Sequence, residues 1–355
     1  MPIIRILLLP FAVLYKWITD FRNHLYDIGS RKSIEFDRFV IGVGNLTVGG
    51  TGKTPFVELL IRELMDKYHL AVLSRGYKRK TRGFRLASNH DDANSLGDEP
   101  FQYFTKFGRK IKVAVGEERA LAIPELIFQD EKISVIILDD AYQHRAVKPH
   151  MNILLADYHR PFYQDHVLPA GLLRESRKHA DRADVVVVTK CPNELSHEEI
   201  DDIKNHVIRY TKTKASVYFS GIKYLKPQRL FGNQSFSEDV LLFSGIANAS
   251  LLEEYVDKNF NLLGHKKYPD HYSFTKKDLT ELIGSFEEIN SQSKCLLTTE
   301  KDMVRLISMK DEAGFLQDYP VFYLPIELYF LENGDFFTKY LTESVVMGLK
   351  DMELN

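Results

Sequence analysis

Apolar residues in this chain gather into short unbroken runs, and the stretches between them carry apolar positions at helical spacing. "RFVIGVGN", "LAVLSRG", "IKVAVG", "ISVIILDD", "NILLAD" and "DVVVVTK" are such runs. A half-buried strand alternates apolar and polar residues; a continuous run suits a parallel strand covered on both faces. Between the first two lies "TPFVELLIRELMDKY", an amphipathic helix with Pro55 near its start, where a missing N–H is tolerated. Strands and helices alternating in this way predict an α/β layered sheet, with ligands at the carboxyl ends of the strands. "SRGY", "GEER", "DDAYQH" and "TKCP" all fall at such ends.

The pattern breaks between 223 and 238, where "KYLKPQRLFGNQSFSE" has turn-forming residues and no long period. A second run follows with "VLLFSGIAN", "LLEEYVDKNF", "TKKDLTELIGSFEEI", "KCLLTTEKD" and "YPVFYLPI". The expected organisation is an N-terminal segment 1–30, a core 31–222, a connection 223–238 and a smaller α/β lobe 239–355. A cleft between two such units suits an enzyme with two substrates.

The N-terminus stands apart. "IRILLLPFAVLYKWITDFR" is apolar on nearly every face from Ile6 to Tyr15, too short to cross a bilayer, which takes roughly 20 apolar residues. No small-residue cleavage site follows, so no cleavage is expected. Arg5, Lys16 and Arg22 flank the run, and the chain's one tryptophan, Trp17, sits just past it. Basic flanks and an interfacial aromatic suit a helix lying in the headgroup layer; the alternative is a core helix kinked at Pro10.

Composition narrows the class. The 355 residues are 44% hydrophobic and 27% charged, as in folded globular proteins. A net charge of −2 argues against broad binding of nucleic acid. Cys191 and Cys295 have no metal spacing and read as small core residues of a reduced, cytosol-facing protein.

The chemistry concentrates in "GNLTVGGTGKTP". A phosphate-binding loop reads G-x-x-x-x-G-K-[ST]. Here Thr47 replaces the first glycine, and Val48, Gly49, Gly50, Thr51, Gly52, Lys53 and Thr54 complete it. The loop follows a strand and opens a helix, so its N–H groups can face phosphate oxygens. Lys53 would reach the β- and γ-phosphates, and the Thr54 hydroxyl would ligate Mg²⁺. The predicted fold is therefore a P-loop NTPase-like three-layer α/β/α core. Asp139 and Asp140 end an apolar strand, where such proteins keep the acid that helps hold Mg²⁺. Gln143 and His144 follow closely.

Other residues are less specific. Asp98 and Glu99 lie in the turn "GDEP", and His271 precedes a helix opened by Thr275 with Asp278 in capping-box position. An acidic turn is usually solvated and such a histidine usually a local hydrogen-bonder; an Asp–His pair across the cleft is a further possibility that spacing does not decide. "SRGYKRKTRGFR" is a basic cluster, either a solvated face or a site for an anionic membrane or phosphorylated substrate. "GLLRESRKH" places Arg174 beside Glu175, a candidate metal ligand.

Three classes of P-loop protein compete. A guanine-reading N-K-x-D element is missing from "TKCP". The core "GGTGKT" resembles that of membrane-associated ATPase switches of the partition type, and that resemblance implies a lysine where Val48 stands. A kinase for a small or lipid acceptor needs a cleft, further acids and a reason to sit on a membrane, and this sequence offers all three.

"VGNLTVGGTGKTP", "LSRGYKRK", "GDEP", "VAVGEERA", "LDDAYQH", "GLLRES", "VVVTK", "FSGIAN", "DHYSF" and "TTEKD", in that order, resemble the tetraacyldisaccharide 4'-kinase family from about Val40 to about Asp302. The resemblance implies two α/β/α lobes with the site between them. It implies transfer of the γ-phosphate of ATP to the 4'-hydroxyl of a tetraacyldisaccharide 1-phosphate, a lipid A precursor, at the cytosolic leaflet of the bacterial inner membrane. No obligate protein partner is implied. Threonine at the first glycine position is that family's own pattern. Carried over by position, Lys53 and Thr54 match the phosphate and Mg²⁺ binders, Asp98 the proposed general base and His271 its partner. Glu99, Asp139, Asp140, Gln143 and Glu175 fall on metal-site and neighbouring positions. Tyr77, Arg119 and Arg174, with Gln143, fall on the substrate side.

Overall fold

The computed structural model describes residues 2–212 and 215–354; Met1 and Asn355, the outer ends of two expected segments, lie outside the described residues. Its strands are β1 (Phe39–Asn45), β2 (Leu70–Ser74), β3 (Arg85–Leu86), β4 (Lys112–Val115), β5 (Val135–Leu138), β6 (Met151–Asp157), β7 (Val185–Thr189), β8 (Ser216–Tyr224), β9 (Gln228–Phe231), β10 (Asp239–Ser244), β11 (Asn261–Lys267), β12 (Cys295–Thr299), β13 (Val321–Leu324) and β14 (Ile326–Phe330). Its helices are α1 (Pro2–Asp27), α2 (Lys53–Leu64), α3 (Ala93–Leu96), α4 (Asp98–Phe107), α5 (Arg119–Gln129), α6 (His197–Ile208), α7 (Ser250–Asn259), α8 (Lys276–Glu288), α9 (Glu300–Ser308) and α10 (Gly334–Leu354).

Every apolar run of the first half is a strand of one nine-stranded sheet, ordered β14-β8-β7-β6-β1-β5-β2-β4-β3. Its pairings are parallel except at the edges, where β3 meets β4 and β14 meets β8 antiparallel. Side chains alternate between faces along a strand. On β1, Phe39, Ile41 and Val43 pack in a core with Phe56 and Leu60 of α2, whereas Val40 packs with Ile123 and Leu126 of α5. Both faces are covered, hence the unbroken apolar runs.

The second sheet, β11-β10-β12-β13-β9, is smaller, with β9 antiparallel to β13. The stretch expected as a connection, 223–238, thus contributes β9 to the second lobe. The stretch 239–355 is divided. After β13 the chain returns to the first lobe, where β14 pairs with β8 and α10 buries Phe337, Leu341 and Val345 in the core beside Phe39 and Phe56. An amphipathic C-terminal helix goes where an open sheet face needs covering, and that face belongs to the first sheet. Both cysteines are free and buried.

Helix α1 runs through Pro10 and touches the core by one seam, Leu8, Ala12 and Tyr15, against a cluster that includes Leu46, Tyr142 and Phe162. Ile6, Leu7, Phe11, Leu14 and Phe21 are exposed, as is Trp17 at 72%. Among the described residues no helix is long and apolar enough to cross a membrane.

The Phe337 ring lies 4.7 Å from Phe330, 5.3 Å from Tyr218 and 5.9 Å from Phe56. Phe337→Ala empties a fully buried site, so we expect a loss of about 3–5 kcal/mol, read as a lower urea midpoint. A loss below about 1 kcal/mol would mean that α10 is not part of the first lobe's core.

Candidate active site

The loop between β1 and α2 is shaped by two glycines, Gly49 (φ 101°) and Gly52 (φ 76°), in the left-handed region that side chains disfavour. The loop is tied down from three sides. Asn45 Nδ2 donates to Thr51 Oγ1 (2.8 Å), and Thr189 Oγ1 donates to the Thr51 carbonyl (2.9 Å). Lys190, itself paired with Asp157 (2.7 Å), donates to the Gly50 carbonyl. The Val48 N–H donates to the Leu172 carbonyl (2.8 Å), and Thr47 forms a bridge with Leu173. Gly52, the residue capping α2, gives the helix no side-chain acceptor. The first N–H groups of α2 therefore remain to meet an anion.

Asp139 and Asp140 follow β5 and sit in opposite surroundings. Asp140 (φ 49°) lies 3.3 Å from Lys53 Nζ and 3.2 Å from Arg174 Nη1. Burial would raise its carboxyl, but Lys53 and Arg174 outweigh that and hold it down to about 2. Asp139 is 4% exposed. Its Oδ2 accepts from Ser74 Oγ (3.2 Å) and from the Tyr103 hydroxyl (3.4 Å), which also hydrogen-bonds Thr54. Burial, followed by the charge of Asp140, pushes Asp139 up to about 6. Its Oδ1 is buried with no hydrogen-bond partner among the described residues.

That orphaned oxygen fits a hard divalent cation, which takes oxygen donors. Among the described residues no three His, Cys, Asp or Glu side chains are poised around one point.

The second centre joins the two lobes. Asp98 opens α4, and its Oδ2 lies 3.0 Å from His271 Nδ1 and accepts from Arg305 Nε at 2.9 Å. Burial would raise Asp98; His271 and Arg305 outweigh it and hold the carboxyl below its usual range. Next to it Glu99 pairs with Lys301 (2.8 Å), which likewise overcomes the effect of burial. His271 has φ 55°, a costly backbone state for a side chain with a β-carbon, and its ring packs edge-on to Tyr77 with centroids 5.6 Å apart. Tyr77 also lines a cavity of about 370 Å³ with Arg75, Lys78, Lys80 and Arg82. Glu99 lies close enough to Asp139 to raise it, which links the two centres.

Three residues have unexpected surroundings. Glu175 is 2% exposed and both its oxygens are engaged: Oε2 by Asn23 of α1 (2.6 Å), Oε1 by Gln143 (2.9 Å) and Arg182 (2.7 Å). Gln143 in turn accepts from Arg174 (3.3 Å) and donates to the Asn45 carbonyl (2.8 Å). Arg119 is 1% exposed and donates to the carbonyls of Gly116 (2.8 Å), Glu117 (3.2 Å) and Asp139 (3.0 Å). It lies beneath the acid pair as a support, and burial lowers its guanidinium to about 10. Sequence reading passed over Lys301 and Arg305, which lie one turn apart on α9. Their signal is an i, i+4 spacing that starts within "TTEKD" and ends just beyond it, a spacing shared with any solvated helix face.

Comparisons with known proteins identify the family. A family model described as Tetraacyldisaccharide-1-P 4'-kinase matches residues 4–345. The chain is 43% identical over 351 residues to the tetraacyldisaccharide 4'-kinase of Flavobacterium psychrophilum, covering 97% of this chain and 98% of that one. It is 44% identical over 360 aligned residues to the enzyme of the same name from Flavobacterium johnsoniae, covering 99% and 100%. Among solved structures it is similar to LpxK from Aquifex aeolicus in complex with ATP, with 29% identity, a TM-score of 0.73 and coverage of 96% of this chain and 99% of that one. With a family model spanning nearly all of its length and relatives above 40% identity end to end, the chain belongs to the tetraacyldisaccharide-1-P 4'-kinase family.

Proposed function

We propose that the protein transfers the γ-phosphoryl group of ATP to the 4'-hydroxyl of a tetraacyldisaccharide 1-phosphate, the lipid A precursor that its relatives are named for. The observation that carries this reading is the pair Asp98–His271, made by two lobes beside a Lys-Thr phosphate loop. A nucleotide switch has no use for a carboxylate and histidine facing one another across a cleft; a kinase needs them for its acceptor.

Phosphoryl transfer asks for position and charge stabilisation more than for covalent help. The loop N–H groups and the start of α2 hold the β- and γ-phosphates. Lys53, at rest on Asp140, turns to the γ-phosphate when ATP binds. Thr54 and Asp139 would hold Mg²⁺, with Asp140 and Glu99 adding negative charge nearby; when bound, the ion neutralises charge on the transferring group. Asp98, kept ionised through neutral pH, takes the proton of the 4'-hydroxyl. The O4'–Pγ bond forms as the bond from Pγ to the β,γ-bridging oxygen breaks, and ADP leaves. His271 orients the Asp98 carboxylate. Tyr77 and Arg174 border the path to the acceptor, while Arg119 and Glu175 act from below, through Asp139 and Gln143.

The acceptor is a lipid, and each buried CH₂ of its chains contributes about 0.8 kcal/mol to staying in the bilayer. The enzyme therefore works at the membrane, at the cytosolic leaflet of the bacterial inner membrane. The exposed apolar residues of α1, with Arg5 and Lys16 among them, support docking of that helix in the headgroup layer.

The direct test is transfer of label from γ-labelled ATP to tetraacyldisaccharide 1-phosphate in mixed micelles. Labelled lipid is expected with the wild type and not with Lys53→Ala; free phosphate without labelled lipid would mean a membrane-associated ATPase switch instead. Asp98→Ala should lower kcat by about 10²–10⁴-fold, and His271→Ala by less. A near-wild-type kcat for Asp98→Ala refutes the base assignment, and a larger loss for His271→Ala reverses the roles. Deleting residues 1–17 should reduce co-sedimentation with inner-membrane vesicles and turnover on lipid while ATP binding persists; unchanged sedimentation would remove α1 as the anchor.

A further inference from the structure

A carboxylate that removes a proton must present one oxygen to it in a fixed direction. Among the described residues Asp98 is gripped by one oxygen only. Its Oδ2 meets both His271 Nδ1 (3.0 Å) and Arg305 Nε (2.9 Å), and Arg305 Nη2 lies 2.9 Å away as well. Among the described residues no donor reaches Oδ1. Arg305 is itself immobilised: Nη1 donates to Asp302 Oδ1 (2.6 Å) and to the Gly245 carbonyl (2.8 Å). Asp302 completes the frame, its Oδ2 accepting from the Gly245 N–H (3.0 Å) and Thr299 Oγ1 (2.7 Å). The planar fork of a guanidinium holds a carboxylate, a second carboxylate and a carbonyl in fixed directions, whereas an ammonium on its flexible stem is a point charge without that fixed geometry.

Resting on the reading of Asp98 as the base, we infer that Arg305 is a positioning residue for the phosphoryl transfer, clamping Asp98 Oδ2 from the second lobe so that Oδ1 is the oxygen that takes the acceptor's proton. Asp98 belongs to the first lobe, whereas His271, Arg305, Asp302 and Gly245 all belong to the second. The base is thus complete only when α9 is seated against α4. Among the described residues the hydrogen bonds of Arg305 go to Asp98, Asp302 and Gly245, and none goes to the phosphate loop or Lys53.

The test compares full-length wild type, Arg305→Ala, Arg305→Lys, Asp98→Asn and the double variant Asp98→Asn/Arg305→Ala on lipid substrate in mixed micelles, with ATP binding measured separately. Arg305→Ala should lower kcat roughly 10–100-fold, the size of a small misplacement of a reacting group, with the Kd for ATP unchanged within about twofold. In the Asp98→Asn background the same substitution should cost less than about twofold, because there is no base left to place. Added guanidinium should recover part of the kcat of Arg305→Ala. Removing Arg305 leaves Asp302 buried without its cation. Should Arg305→Ala fail to bind ATP, Arg305→Lys decides, and it is expected to bind ATP normally with kcat several-fold down. Wild-type kcat in a folded Arg305 variant would overturn the inference, as would a loss from Arg305→Ala that is equal with and without the Asp98→Asn change. Near-wild-type turnover by Asp98→Asn would instead overturn the base reading on which it rests.

Discussion

Asp98, Glu99 and Lys106 on α4 meet Arg305, Lys301 and Glu300 on α9, so two antiparallel helices from different lobes are joined by three ion pairs, one of them of reversed polarity. Lys106 extends the ladder to Glu58, a buried acid of α2 that also accepts from Gln102 (2.9 Å). An apolar patch of Leu96, Phe101, Val115, Met303 and Val304 excludes water beside them. Buried charges are costly unless paired, and a shifted register would leave several of them unpaired. This contact fixes how the second lobe sits on the first, and so fixes where His271 and Arg305 stand relative to the phosphate loop.

The acids of the first lobe illustrate how position divides labour. Asp139 and Asp140 are neighbours in sequence, yet one is held near 6 and the other near 2. The difference is cationic company: Lys53 and Arg174 contact Asp140, while Asp139 Oδ2 meets the hydroxyls of Ser74 and Tyr103 and its Oδ1 has no partner among the described residues. Two neighbouring carboxylates are in this way pushed apart in their affinity for a proton by their surroundings alone.

Helix α1 is joined to the same centre by polar stitches along its inner side. The Tyr15 hydroxyl donates to the Arg174 carbonyl (2.8 Å), Asp20 lies 2.8 Å from His179 Nε2, and Asn23 donates to Glu175. The segment from Arg174 to His179 thus has the candidate membrane helix on one side and Asp140 and Gln143 on the other. A short path of hydrogen bonds runs from the exposed apolar surface to the acids beside Lys53.

The parallel strands, the phosphate loop and the helix it opens were legible in the sequence, because each depends on neighbouring residues: continuous apolar runs, glycines at positive φ, a Lys-Thr pair at a helix start. The acids at the end of β5 were legible for the same reason. Tertiary structure alone decided the return of β14 and α10 to the first sheet, since an amphipathic helix fits any uncovered apolar face and its sequence does not say which. It alone set Arg119 beneath the site and closed Glu175 within three partners, for burial depends on what packs above. It alone brought Lys301 and Arg305 to Glu99 and Asp98. On a helix, cations four residues apart look the same whether water or another lobe faces them, and only the packing of α9 on α4 makes them part of the site.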